Sequence, residues 1–235
     1  MRVGGRVFEA GASGRGLGGG APTAENPVTG GRAVDEDRGM DVHLTTERLV
    51  LRRFTTADTD RLVELDGDPQ VMRYLTGGRA TPRAHVENTL LPLYFAHYER
   101  YGDLGWWAAE ERAGGAFLGW FEFRPPDQED PGEIELGYRL RRAAWGRGYA
   151  TEGARALIDR GFARLGVRRV VAYTMAVNSG SRRVMEKAGL RYVRTFHEDY
   201  PEPIPGTELG EVEYALDAAD WRPTAPGAGP GYWSA

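Results

Sequence analysis

The chain has 235 residues, 41% of them hydrophobic, which is enough for one large domain or two small ones. It contains no cysteine, and its histidines, His43, His85, His97 and His197, lie without metal-ligand spacing; disulfides, thiolate sites and a cysteine nucleophile are excluded, and no metal is expected. A net charge of -4 argues against a nucleic-acid partner, and no apolar run approaches the roughly 18 residues of a membrane span or forms a signal segment, so a soluble, cytoplasmic protein without a membrane partner is the expectation.

Residues 1–39 hold 11 of the 33 glycines and no sustained hydrophobic period, and read as a disordered leader. Met40 offers an internal start. Within the leader, "GRGLGG" matches a dinucleotide-binding pattern, but no strand precedes it and no helix can follow it. The folded domain is read as 40–222, and 223–235 as a Pro/Gly tail. "ERLVLRRF" predicts a strand, and "TTADTDRLVEL" a helix opened by Thr or Asp caps. A second helix follows Thr81-Pro82, where proline is tolerated in a first turn. The period then changes: "GWWAAEE", "GAFLGWFEFR" and "GEIELGYRL" predict an antiparallel meander, with Trp106, Trp107, Trp120, Phe121 and Phe123 in the core. Ala150, Ala154, Leu157, Ile158, Gly161, Phe162 and Leu165 recur at helical spacing up to Gly166. "RRVVAYTM" is a buried-type strand, "SGSRRVMEKAG" a helix, and "LRYVRTFHE" and "GEVEYAL" the last strands.

The most informative stretch is "RRAAWGRGYATEGARALIDRGFARLG", where a strand meets a Gly-x-Gly turn and then a helix. Such a turn aims unpaired backbone N–H groups and the positive end of the helix dipole at one spot, an anion site. A side chain at Gly146 or Gly148 is expected to keep a phosphate off the backbone. Arg139, Arg141, Arg142 and Arg147 are expected to surround the turn as fixed cations. A dinucleotide enzyme would need an acidic residue about 20 positions on, where the chain instead has Tyr173-Thr174-Met175, and a P-loop would need a lysine that this turn lacks. On these grounds the phosphate ligand stays open.

"IELGYRLRRAAWGRGYATEGARALIDRGF", then "VVAYTMAVNSGSRRVMEKAGLRYV", with "TTERLVLRRF" upstream, resembles the GNAT superfamily of N-acetyltransferases, in the branch that includes the ribosomal-protein N-terminal acetyltransferases. The likeness covers roughly residues 44 to 216. It implies an α/β fold with a mixed, mostly antiparallel central sheet of about seven strands flanked by about four helices. It also implies acetyl-CoA as cosubstrate, its pyrophosphate on the turn Trp145, Gly146, Arg147, Gly148, Tyr149, Ala150 and Thr151. Trp145 stands where the family usually has Arg or Gln. Asn178 would lie near the pantetheine, and the strand end around Leu140 would pair its backbone with the pantetheine amides.

The implied reaction is direct attack of a neutral amine on the thioester, which needs a base, an oxyanion stabiliser and a proton for the thiolate. Glu135, on the face of "EIELGYRL" opposite the row Ile134, Leu136, Tyr138 and Leu140, is the candidate base, or else a salt-bridged strand glutamate. Many relatives use a tyrosine seven residues after the asparagine; Met185 stands there instead. Ser181 matches the serine of this branch, and reads equally as a cap of the helix it begins. The acceptor is an amine-bearing small molecule or a peptide or protein N-terminus, and the acidic loop "HEDYPEPIPGTELGEVEYAL" favours a cationic one. A homodimer is the assembly entertained. The alternative is a non-catalytic acyl-CoA-binding or regulatory domain.

Overall fold

The computed structural model describes residues 41–126 and 132–223. The leader, and the tail apart from Pro223, lie outside the described residues. Eight strands form one sheet: β1 (Val42–Thr45), β2 (Leu49–Arg52), β3 (Gly105–Glu111), β4 (Phe117–Arg124), β5 (Glu133–Leu140), β6 (Arg169–Met175), β7 (Arg191–Phe196) and β8 (Glu211–Asp217), in the order β1-β2-β3-β4-β5-β6-β8-β7. Only β5 and β6 run parallel. This is the mixed, mostly antiparallel architecture expected, with one strand more. β1 is a four-residue piece that folds back on β2 through Thr46–Arg48, and "DVHLT" is too short to show a period of its own.

Among the described residues six α-helical segments flank the sheet: α1 (Thr59–Gly67), α2 (Arg73–Thr76), α3 (Arg83–His85), α4 (Leu91–Tyr101), α5 (Tyr149–Arg164) and α6 (Ser179–Lys187). The helix expected after Thr81-Pro82 is α3 and α4 joined by a π-helical turn, Val86–Leu90. Pro92 sits in the first turn of α4 and has no N–H to give; widening the preceding turn keeps its ring off the carbonyl four residues back. The π turn and α4 carry Val86, Leu91, Tyr94 and Tyr98 into the core. Asp58 closes the capping box of the 3-10 turn Thr56–Asp58 that leads into α1, accepting from the Thr55 backbone N–H at 3.0 Å, while Arg52 grips its carboxylate at 2.7 and 2.8 Å.

α1 and α4 cover one face of the sheet; α5 and α6 cover the other. Trp106, Trp107, Trp120, Phe121 and Phe123 are buried as expected, and so is Phe117. Helix α5 lies so close to β4 that a Cβ at Gly153 would overlap the Phe121 ring, and one at Gly161 the Phe123 ring. Those two glycines, one in the second turn and one in the last, seat α5 along its length against β4. Among the described residues, no helix is long and apolar enough to cross a membrane.

Candidate functional site

Strands β5 and β6 are paired only at Glu133–Arg169, Ile134–Val170 and Glu135–Val171. β5 continues to Leu140 and β6 to Met175, so beyond Glu135 the two strands part and the sheet opens in a wedge. A cleft of about 640 Å³ fills that wedge, bounded by β5, the turn before α5, β6, α6 and the β7–β8 loop. At its mouth, Gly146 has φ +72° and Gly148 φ +85°, backbone that an L side chain rarely adopts. The first bond of α5 runs from the Glu152 N–H to the Gly148 carbonyl at 3.0 Å, so the N–H groups of Tyr149, Ala150 and Thr151 precede the helical ladder. Nothing stands within 4 Å of where a Gly146 Cβ would lie. The turn is thus an open cradle of backbone donors at the positive end of a helix.

The turn is fastened from outside. Glu152 accepts from Thr46 Oγ1 at 2.6 Å, from the Arg48 backbone N–H at 2.9 Å and from Arg48 Nε at 2.6 Å, while Arg48 Nη1 donates to the Arg147 carbonyl at 2.9 Å. The β1–β2 turn therefore clamps the start of α5, a contact between residues about a hundred positions apart that no local pattern reveals.

The arginines behave differently from expectation. Arg139 pairs with Asp66 at 2.5 Å and lies over the Trp120 ring; Arg141 pairs with Glu64 at 2.6 Å, Arg142 with Asp68 at 3.5 Å and Arg147 with Glu111 at 3.5 Å. Each of the four meets a carboxylate, so they are not a ring of free cations around the turn. Charge for an anion comes instead from the helix end, and from Arg183 and Lys187, which lie one turn apart on α6 and line the cleft.

Of the expected cosubstrate residues, Leu140, Trp145, Gly146, Gly148, Ala150, Thr151 and Asn178 line the cleft. The side chains of Arg147 and Tyr149 turn away to Glu111, leaving only their backbone at the turn. The Leu140 carbonyl already accepts from the Trp145 indole N–H at 2.8 Å, so that group is occupied by the protein itself. Asn178 caps α6: its Oδ1 accepts from the Ser181 N–H at 3.2 Å, and its Nδ2 donates to Thr174 Oγ1 at 3.0 Å. The cap is therefore Asn178 and not Ser181. The Ser181 hydroxyl is left to meet the Tyr138 hydroxyl at 3.0 Å, and both residues line the cleft. Sequence reasoning placed Tyr138 in an apolar row; a hydroxyl in such a row was the available signal. Burial pushes the Tyr138 phenol up, against the Ser181 bond, so it is held as a proton donor.

Glu135 is 2% exposed, on the α1/α4 face at the apex of the wedge, and is not among the cleft-lining residues. Arg124 Nη2 lies 3.9 Å from its Oε2, and the Arg124 Nε contacts Glu122. Glu122 stands directly across from Gly137, which does line the cleft. Burial pushes the Glu122 carboxyl up to about 8; Arg124 opposes that rise and Glu135 adds to it. Sequence reading found Glu135 but not this second carboxylate, whose partner across the ladder is visible only in the register.

Residues 48–191 match the family model described as Acetyltransferase (GNAT) domain. This chain belongs to the GNAT acetyltransferase family. Among its relatives is the FsC-acetyl coenzyme A-N(2)-transacetylase of Aspergillus fumigatus, 35% identical over 185 residues, covering 76% of this chain and 77% of that protein. A GNAT-family acetyltransferase structure from Bacillus anthracis superposes with TM-score 0.62 at 24% identity, covering 75% of this chain and 98% of that one. RimL, a ribosomal L7/L12 alpha-N-protein acetyltransferase solved in complex with coenzyme A, superposes with TM-score 0.62 at 17% identity, covering 75% and 98%. At these identities the two structures speak for the fold. GNAT neighbours bind coenzyme A, and the open cradle at Gly146–Thr151 suits an anionic pyrophosphate in this chain.

Proposed function

We propose that this acetyltransferase moves the acetyl group of acetyl-CoA to a primary amine by direct attack on the thioester. The observation that carries the reading is the wedge between β5 and β6, with an open turn of backbone donors at one end and a hydroxyl pair, Tyr138 and Ser181, on its wall. Acetyl-CoA supplies the activated acyl carbon. Beyond Glu135 the β5 edge faces the wedge without a partner strand, so its amide groups are available to align an extended pantetheine. Asn178 and Thr174 fix the α6 end of the wall through their mutual hydrogen bond. The amine loses a proton through water toward Glu135, which lies buried behind the cleft wall at the apex of the wedge with Glu122 beside it; nitrogen bonds to the carbonyl carbon, the carbon–sulfur bond breaks, and the departing sulfur takes a proton from the Tyr138–Ser181 pair.

The test is mass-resolved product formation from acetyl-CoA and a panel of amines and peptide N-termini. One acetylated amine per free coenzyme A thiol is expected. Tight coenzyme A binding with no acetylated product from any amine would overturn the reading in favour of a non-catalytic binding domain.

A further inference from the structure

On the α1/α4 face the cleft is walled by α2, by the end of β6 and by the loop 197–210 between β7 and β8. The register sets this sidedness: Val171 lies opposite Glu135 and on its face, and alternation along β6 puts Met175 on that face too. The loop reaches both of its neighbours. A Cβ on Gly77, the C-cap of α2, would stand 3.1 Å from Ile204 Cγ2, and one on Gly206 would stand 3.4 Å from Met175 Cε. Ile204 therefore sits between α2 and β6, half-buried and lining the cleft.

The loop's own bonds fix that position. The Ile204 N–H donates to Thr207 Oγ1 at 3.1 Å, and the Thr207 hydroxyl and N–H donate back to the Ile204 carbonyl at 2.5 and 3.0 Å. Pro201, Pro203 and Pro205 restrict φ at alternate residues around it, so less chain entropy is lost in holding the arrangement. The sequence of this segment points to a cationic acceptor through its acids, but Glu202 pairs with Arg79 at 2.6 Å, the Glu208 carboxylate accepts from the Gly206 N–H at 2.9 Å, and Glu211 accepts from the Tyr200 hydroxyl. Those acids are engaged within the protein, and what the loop adds to the gap between α2 and β6 is aliphatic. Val71 and Leu75 from the α2 side and Met175 from the sheet line the cleft as well. Apolar surface that meets water in an open cleft is the kind whose burial drives association.

We infer that Val71, Leu75, Ile204 and Met175 form a subsite for an uncharged apolar chain on the acceptor, so that the preferred substrate class is a primary amine carried on such a chain. This rests on the acetyl-transfer reading above. The subsite is continuous with the wedge but offset from the chemistry, since Met175 lies four residues past Val171 at the apex, about 13 Å along the strand. A chain of several carbons reaches it; a two-carbon chain does not.

The experiment measures kcat/KM for ethylamine, butylamine, hexylamine and octylamine at saturating acetyl-CoA, with diaminohexane as the charged counterpart of hexylamine. Each methylene that reaches the subsite should raise kcat/KM about fourfold, so octylamine is expected to exceed ethylamine by about tenfold or more. Hexylamine should also exceed diaminohexane, whose second ammonium would lose water against apolar side chains. Ile204→Asn should bring the octylamine-to-ethylamine ratio toward one, with the melting temperature and coenzyme A affinity measured alongside. Equal kcat/KM along the series in the parent protein would overturn the subsite, as would a preference for diaminohexane over hexylamine or an Ile204→Asn variant that keeps the rise with length. If that variant does not fold, the parent's series and the diamine comparison decide alone. Failure of every amine would instead count against acetyl transfer itself.

Discussion

A carboxyl group in a protein interior is either held by cations and donors or keeps its proton, and Glu122 is governed by the second tendency. Its proton is bound more tightly in the folded chain than in the unfolded. Its contribution to stability is therefore full below the ordinary value of 4.5 and is lost as the pH rises toward 8. Relative to Glu122→Gln, the parent should lose stability between those two values, read by denaturant unfolding across a pH series; a difference that grows in the opposite direction would refute the assignment. For Glu135, glutamine substitution should cut turnover on the order of 100-fold and weaken its pH dependence, with coenzyme A affinity kept. Turnover within about twofold of the parent would move the base elsewhere, to Glu122 or solvent. At this scale Glu135 and Ser181 could be picked from the sequence as candidates because each lies in a short motif, while the capping role falls to Asn178. Tyr138 and Glu122 were not legible, because what matters about them is a partner supplied by another strand or helix.

Helix α5 shows what an element can and cannot reveal. Its hydrophobic period and its opening glycines were readable, and so was the turn of unpaired backbone donors at its start. The glycines are required for a second reason besides the approach of a phosphate, since Gly146 and Gly148 both have positive φ. Gly148→Glu should therefore lose about 1–2 kcal/mol of unliganded stability from backbone strain, and in addition lose the stabilisation by ligand. For the parent, coenzyme A at about 100 times its dissociation constant should add roughly 2.7 kcal/mol, while ATP and NAD add little. An equal thermal shift from ATP would place the cradle's specificity elsewhere. The clamp gives an independent check: Glu152→Ala removes the acceptor for Thr46 and Arg48, and is expected to weaken coenzyme A binding while the core stays folded. The short elements β1 and α2 and the π turn went unread because four or five residues carry too little period, and because a proline's effect on the turn before it depends on the packing of the whole helix.

For the molecule as a whole, a folded unit from residue 40 onward remains a proposal, and deletion of residues 1–39 should leave melting temperature and coenzyme A affinity unchanged; a large fall would show that the segment packs on the domain. Topology follows the expected order of elements, but the place where the sheet opens does not follow from any strand's own sequence. It depends on how far β6 stays beside β5, and that is three residues. Three rungs of parallel ladder join a five-stranded half to a three-stranded half. In the language of amide exchange, those rungs are a seam: the backbone of Leu136–Leu140 and Ala172–Met175 should exchange faster than the centre of β3–β4 in the empty protein, and should slow when an extended ligand occupies the wedge. The cosubstrate would then act as a ninth strand, completing the sheet and coupling its two halves, so that protection spreads into β8 although no part of the ligand need touch it.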